Sequence, residues 1–172
     1  PAPAAQTATR KFGRYEIRQM IARSQASGAW LAFDPRMQQE VLLVVPRSAP
    51  TQGDDKATWM QEVQSAARLQ HPRLAEVVEV TSLDTWPYAV VPRDGTLTLA
   101  ETVSNKAYTP FEVANLACDI LEGLAYAHEA GRAHHDIPLH HVLIDKQGRA
   151  KLSGFASGLR SEEHTSELQS RL

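Results

Sequence analysis

A carboxylate lies among four histidines in one short stretch of the chain, between residues 134 and 141. The carboxylate belongs to Asp136, and the neighbouring histidines are His134, His135, His140 and His141. Imidazole and carboxylate are common ligands of zinc and other transition metals. One hypothesis is therefore a histidine-rich metal-binding module, although the spacing does not match the two-histidine motif of a metal-binding helix.

The elements that must position this stretch begin with strands. Alternating or β-branched apolar runs bounded by turn residues predict strands of an antiparallel sheet. These runs lie at 15–21, 29–33, 40–45, 77–80 and 88–91. An apolar stripe predicts a helix over about 56–69, and His71-Pro72 ends it because the residue before a proline disfavours helix.

A second, longer helix has the strongest local signal in the chain. Thr109 as N-cap, Pro110 at the first helical position and Glu112 at the third form a capping box. Gly131 is a typical residue just past a helix end. Two short strands are then predicted at 142–144 and 150–152. The apolar face of the helix is expected to contain Val113, Leu116, Ala117, Ile120, Leu121, Leu124 and Ala125.

The stretch 134–145, followed by 151–156, resembles a known signature. It is similar to H-R-D-L-K-P-x-N-V-L-I-D followed by K-L-x-D-F-G, the catalytic-loop sequence of bacterial eukaryotic-like serine/threonine protein kinases. The order of predicted elements is also that of a kinase smaller lobe and the start of the larger lobe. The resemblance implies an α+β, protein-kinase-like fold: an antiparallel five-stranded N-lobe sheet with one helix, plus the start of the helical C-lobe.

The resemblance also implies a nucleotide site from which most of the charged groups are missing. Asp136 matches the family's catalytic base. Val44 occupies the position of the phosphate-binding lysine, whereas His141 and Gly154 replace the asparagine and the aspartate that hold Mg²⁺. Magnesium prefers hard oxygen ligands, so imidazole and glycine are poor substitutes. Glu62 matches the helix glutamate that pairs with the lysine, and we expect a surface carboxylate or a partner of another cation.

The family's phosphate-binding loop has three glycines that let backbone N–H groups approach the phosphates. The resemblance places Ala22, Ser24 and Ser27 at these positions, with Gly28 one residue late. We expect a β-hairpin with a polar turn instead of a phosphate cradle.

The functional expectation is a catalytically inactive pseudokinase that acts in signalling as a regulatory or protein-binding module, with Asp136 vestigial. Its partner would be another protein or another domain of the same polypeptide, and no cofactor is expected. The alternative is an active serine/threonine kinase that binds ATP and Mg²⁺ through relocated groups, for example Arg47 or Lys56.

Composition narrows the remaining classes. A formal net charge of −2 gives no electrostatic case for nucleic acid, and no apolar run is long enough to span a bilayer. The single cysteine, Cys118, fits a reducing compartment, which predicts a cytoplasmic location.

The expected domains are a disordered linker at 1–12, the N-lobe at 13–92 and a partial C-lobe at 93–159. Residues 160–172 resemble the translation of a sequencing adapter, and we expect the gene to be truncated just after the Gly154-Phe155-Ala156 position.

Overall fold

The computed structural model describes residues 10–48 and 53–155. The strands in these two ranges are β1 (Arg10–Phe12), β2 (Tyr15–Arg23), β3 (Ser27–Asp34), β4 (Gln39–Pro46), β5 (Glu79–Leu83), β6 (Trp86–Pro92), β7 (Leu97–Thr98), β8 (Val142–Ile144) and β9 (Ala150–Leu152). The helices are α1 (Gly53–Ala66), α2 (Leu99–Thr102) and α3 (Pro110–Glu129), with a 3-10 turn at Leu139–His141. The predicted strands and both predicted helices are present, within a few residues of the expected bounds.

The first six strands form one antiparallel sheet in the order β1-β2-β3-β4-β6-β5. The sheet has one strand more than the five expected, because Arg10–Phe12 pairs with β2 across a turn at Gly13. Gly13 has a φ of 57°, which a residue without Cβ adopts readily. The prediction of a linker over 1–12 is therefore wrong for 10–12, while 1–9 and the predicted artefact at 160–172 lie outside the described residues.

The central strands of this sheet are buried on both faces. Successive residues of a strand point to opposite sides, so Leu42 and Val44 of β4 face α1, where they pack with Trp59 and Val63. Val41 and Leu43 face the other side, where they pack with Tyr15, Tyr88 and Val90. The continuous apolar run of β4 follows from this two-sided burial.

The second part of the chain contains α3 and a small antiparallel sheet of β7, β8 and β9. The predicted capping box is confirmed: Thr109 Oγ1 accepts from the Glu112 N–H at 3.3 Å, and the Glu112 carboxylate accepts from the Thr109 N–H at 2.9 Å. Gly131 follows the helix with a φ of 71°. Within the described ranges, no helix is long and apolar enough to cross a lipid bilayer.

The face of α3 that is buried differs from the predicted apolar stripe. Leu116 is buried as expected, but Val113 and Leu121 are 53% and 63% exposed. The buried row instead runs through Asp119, Gly123 and Ala127, and a Cβ at position 123 would lie 2.9 Å from the Arg73 carbonyl oxygen. The buried face of α3 is determined by the charged Asp119 and by the close backbone approach at Gly123. A pattern of apolar residues predicts neither feature.

The segment between α1 and β5 joins the two parts of the molecule. Leu74 forms a parallel bridge with Leu152 of β9. The Ala75 N–H donates to the Leu152 carbonyl at 2.9 Å, and the Leu152 N–H donates to the Arg73 carbonyl at 2.8 Å. The segment that leaves α1 is therefore tied by backbone hydrogen bonds to the end of the small sheet, directly before Gly154.

Candidate functional site

The turn between β2 and β3 is organised by a serine hydroxyl. Ser24 Oγ accepts from the N–H groups of Ala26 and Ser27 at 3.2 and 3.1 Å, and the Ser24 N–H donates to the Ser27 carbonyl at 2.7 Å. A serine side chain that accepts backbone N–H groups closes a turn on itself. These N–H groups are already satisfied, and the segment forms the polar hairpin turn that the sequence predicted.

The same serine reaches across to the catalytic-loop stretch. Ser24 Oγ donates to Asp136 Oδ2 at 2.6 Å, although 112 positions separate the two residues. The distance is typical of a charge-assisted O–H···O bond. The predicted phosphate loop and the predicted base are thus in direct contact.

A second serine extends this contact. Ser27 is fully buried, and its Oγ lies 2.9 Å from His141 Nε2 and 3.3 Å from His140 Nε2. A hydroxyl has one proton, so it donates to one imidazole and accepts from the other, and the two rings therefore take different tautomers. We call Ser24, Ser27, Asp136, His140 and His141 the serine clamp.

Burial favours the neutral form of the three buried histidines of this region. His134, His140 and His141 are at most 2% exposed, and burial lowers the pKa of each ring below its usual value. The Asp136 charge raises the pKa of His134 and His140, but less than burial lowers it. The His134 Nε2–H donates to the Ser153 carbonyl at 2.6 Å, and the ring packs 4.6 Å from that of Phe155.

These lowered pKa values predict a loss of stability in mild acid. In the unfolded chain these three histidines bind protons near the ordinary pKa of about 6.5. In the folded chain their pKa values are lower, so the free energy of unfolding falls as the pH drops below about 6.5. Urea denaturation should show a less stable protein at pH 5.5 than at pH 7.5. His140→Gln should reduce the difference, and His128→Gln, which changes an exposed histidine, should leave it unchanged. Equal stability at both pH values would contradict the prediction.

At the predicted lysine position, Val44 is buried in the core beside α1. Val44 and Gly154 both line a cavity of only about 20 Å³, which has room for one water molecule.

Glu62, which matches the partner of that lysine, pairs with a different cation: its Oε2 accepts from Arg132 Nη1 at 2.6 Å. Both side chains are about one-third exposed, so the pair contributes less than about 1 kcal/mol. Nothing in the sequence pattern pointed to Arg132.

The replacements at the two predicted magnesium positions fit one another. Gly154 has a φ of 82°, and a Cβ on it would lie 2.3 Å from both Cε1 and Nδ1 of His141. The His141 ring therefore fills the space that a side chain at position 154 requires. Of the predicted metal-holding positions, one now carries an imidazole bonded to Ser27 and the other has no side chain, so these residues do not fit Mg²⁺.

The two cations suggested as relocated phosphate ligands have other contacts. Lys56 Nζ donates to the Asp84 carbonyl at 2.6 Å, at the turn between β5 and β6. Arg47 Nη1 donates to the Ser24 carbonyl at 3.2 Å and so braces the hairpin turn.

The metal-module hypothesis gains no support from the geometry. Among the side chains that the structure describes, at 10–48 and 56–155, no three of His, Cys, Asp or Glu lie close enough together to hold a metal ion. His135 is exposed and has a φ of 67°. Its ring is therefore not part of the buried group formed by the other three histidines.

The comparisons with known proteins concern the family and the fold of the chain. The protein kinase domain family matches residues 36–171. The serine/threonine-protein kinase PrkC of Bacillus subtilis is 29% identical over 145 residues, which cover 83% of this chain and 22% of that protein. A probable serine/threonine-protein kinase, PknB of Corynebacterium glutamicum, is 26% identical over 161 residues, which cover 90% of this chain and 25% of that protein. The chain thus spans about a quarter or less of the length of these relatives.

Among solved structures, the PknI kinase domain of Mycobacterium tuberculosis resembles the chain with a TM-score of 0.67 and 22% sequence identity. The match covers 97% of this chain and 68% of that one. A second structure of the same domain gives a TM-score of 0.65. The likeness to these structures establishes the fold.

Proposed function

Since this chain belongs to the protein kinase family, and within it to the bacterial serine/threonine kinases, we propose that it is a pseudokinase. In this proposal the domain regulates or binds a protein in cytoplasmic signalling and does not transfer phosphate. The observation that carries the proposal is the serine clamp, in which the position of the phosphate loop is hydrogen-bonded directly to that of the catalytic base.

The clamp matters because of where a triphosphate must lie. Phosphoryl transfer requires the γ-phosphate and its metal ions to sit between the glycine-rich loop and the catalytic loop, in line with the acceptor hydroxyl. Here the Ser24 and Asp136 oxygens are 2.6 Å apart, so no phosphate fits between them. Opening the cleft would break this bond and the Ser27 bonds to His140 and His141.

The missing charges support the same proposal. Removing one preorganised electrostatic group from an active site typically lowers the rate by roughly 10²–10³. Val44, His141 and Gly154 stand at three such positions, and Pro138 stands where the resemblance places a further lysine. The losses are not additive, yet two in full would reduce a typical kinase turnover of about 1–100 s⁻¹ to a negligible rate.

Nucleotide binding gives the direct test. A ligand at a 1,000-fold excess over its Kd stabilises a folded protein by about 4 kcal/mol, so millimolar MgATP would visibly raise the melting temperature of any chain with micromolar affinity. We expect no shift with ATP, with or without Mg²⁺, and no incorporation of radiolabelled phosphate above an Asp136→Ala control. A magnesium-dependent shift, or turnover that Asp136→Ala abolishes, would overturn the proposal.

An active serine/threonine kinase is the second candidate, and one observation favours it. Asp136 keeps the carboxylate of the family base and is only half buried. This candidate requires the clamp to open and Arg47 to exchange the Ser24 carbonyl for a phosphate. The same titration separates the two, because only an active kinase needs MgATP to bind.

A further inference from the structure

A groove lies on the face of the six-stranded sheet opposite α1. Its volume is about 530 Å³, which is within the range of ligand-binding clefts. The floor is apolar and is formed by side chains from β1, β2, β3, β4 and β6: Phe12, Ile17, Met20, Trp30, Leu43, Val45, Pro46 and Trp86. Several of these residues, among them Trp30 and Trp86, are only partly buried, and Met20 is 44% exposed.

The charges around this floor are all of one sign. Arg10, Lys11, Arg23 and Arg47 line the groove, and no aspartate or glutamate does. All four are exposed, and among the described residues none has a carboxylate within ion-pair distance. Glu16, opposite Lys11 in the register, forms an ion pair with Arg18 at 3.8 Å. In a chain with a net charge of −2, this concentration of unpaired cations gives the groove a positive potential that attracts an anionic partner.

The cations are divided between the two ends of the groove. Arg10 pairs with Ile17 of β2, and Arg23 lies six positions further along the same strand. A strand rises about 3.3 Å per residue, and β2 contains two irregularities, so the two ends are roughly 15–20 Å apart. A small anion reaches one end only, whereas an extended peptide of about six residues spans both.

We propose that this groove binds an extended acidic segment of a partner protein that carries one large apolar side chain. The side chain packs against the indoles of Trp30 and Trp86, and flanking carboxylates pair with Arg10 and Lys11 at one end and with Arg23 at the other. Aromatic floor residues and arginines are the types that dominate binding at protein interfaces. Ser27 of the serine clamp and Gly28 also line the groove. The residues assigned to binding the segment are not clamp residues, so the proposal does not depend on whether the chain transfers phosphate.

Fluorescence anisotropy with a designed probe tests the proposal. The probe is the fluorescein-labelled peptide Glu-Glu-Phe-Ser-Glu-Glu, and the comparison peptides are Glu-Glu-Ala-Ser-Glu-Glu and Lys-Lys-Phe-Ser-Lys-Lys. We expect the full chain to bind the probe and to bind both comparison peptides at least about tenfold more weakly, because each lacks one of the two required features. Affinity for the probe should also fall as the salt concentration rises.

Charge reversal locates the binding surface. Lys11→Glu combined with Arg23→Glu should weaken probe binding at least about tenfold, since both ends then repel its carboxylates. Met20→Asp places a carboxylate on the exposed part of the floor and should also weaken probe binding at least about tenfold. This variant replaces the first one if the first does not fold. Arg68→Glu reverses an exposed arginine outside the groove and should leave the affinity unchanged.

Three outcomes would overturn the proposal. They are equal affinity for the probe and its alanine version, equal affinity in the Met20→Asp and Arg68→Glu variants, and binding to vesicles of anionic lipid without binding to the probe. Each is distinct from a failure of the pseudokinase proposal, because no nucleotide is present in the experiment.

Discussion

Replacing Gly154 by aspartate, the residue found there in the kinase signature, is expected to lower the melting temperature by about 6–12 °C. A Cβ at this position would lie 2.3 Å from the His141 ring, and that ring is buried and held by Ser27. Overpacking of this kind destabilises a protein by about 1–3 kcal/mol, and a non-glycine residue at a φ of 82° adds about 1–2 kcal/mol. The sum is about 3 kcal/mol, measured by thermal or urea unfolding.

The chain offers a matched control for the steric part. Gly148 has a φ of 76°, and a Cβ there would meet no atom within 4 Å. Gly148→Asp therefore has the backbone strain without the clash and should destabilise the chain by only about 1 kcal/mol. Adding His141→Asn to Gly154→Asp replaces the clashing imidazole by a smaller amide and should restore part of the lost stability. If Gly154→Asp and Gly148→Asp were equally destabilising, the interlocking of His141 and Gly154 would be refuted.

Removing the Asp119 carboxylate is expected to destabilise the chain by about 1–3 kcal/mol, mainly because a buried backbone donor loses its acceptor. Asp119 is 3% exposed on α3, where it accepts from Arg149 Nε at 2.9 Å and from the Ala150 N–H at 2.9 Å, with Arg73 Nε 3.3 Å away. Asp119→Ala leaves the Ala150 N–H without its acceptor. The half-exposed Arg149 is then screened by solvent, and Arg73 keeps Glu122 at 3.4 Å. Urea denaturation at neutral pH measures the change.

Glu122→Ala is the control for this experiment. Glu122 lies on the same helix and 3.4 Å from the same Arg73, but its side chain is 55% exposed, so its removal should change stability by less than about 1 kcal/mol. The two variants should also differ with pH. Arg149 and the Ala150 N–H lower the pKa of Asp119 despite its burial, so its contribution is present above the unfolded value of about 3.9 and is lost as the pH falls through the folded value. A stability of Asp119→Ala close to that of Glu122→Ala would contradict the proposed role of this carboxylate.

Local signals explain why much of the fold is predictable from the sequence. The capping box at Thr109 and Glu112 and the strands β8 and β9 need information from only a few neighbouring residues, and they are found where they were expected. Strand β1 was missed because three residues, two of them charged, have little strand propensity and pair only in the context of β2.

Long-range partners explain what the sequence left open at the site. The resemblance identified Ser24, Ser27, Asp136 and His141 as replaced or retained positions, but no pattern indicated that the hydroxyls would bond to the loop more than a hundred residues away. No sequence pattern predicted that Glu62 would pair with Arg132 either. Such contacts depend on tertiary geometry, and period-based analysis describes only the element in which a residue lies.

The backbone link between Ala75 and Leu152 has a consequence for motion. The serine clamp joins the two parts of the molecule at the β2–β3 turn, and this link joins them again behind α1. Two bodies fastened at two separate places can rotate relative to one another only about the line through both fastenings, so the sheets cannot separate at either place without breaking the fastening there. The amide protons of Ala75 and Leu152 should therefore exchange with deuterium slowly, at rates similar to those of the central strand β4.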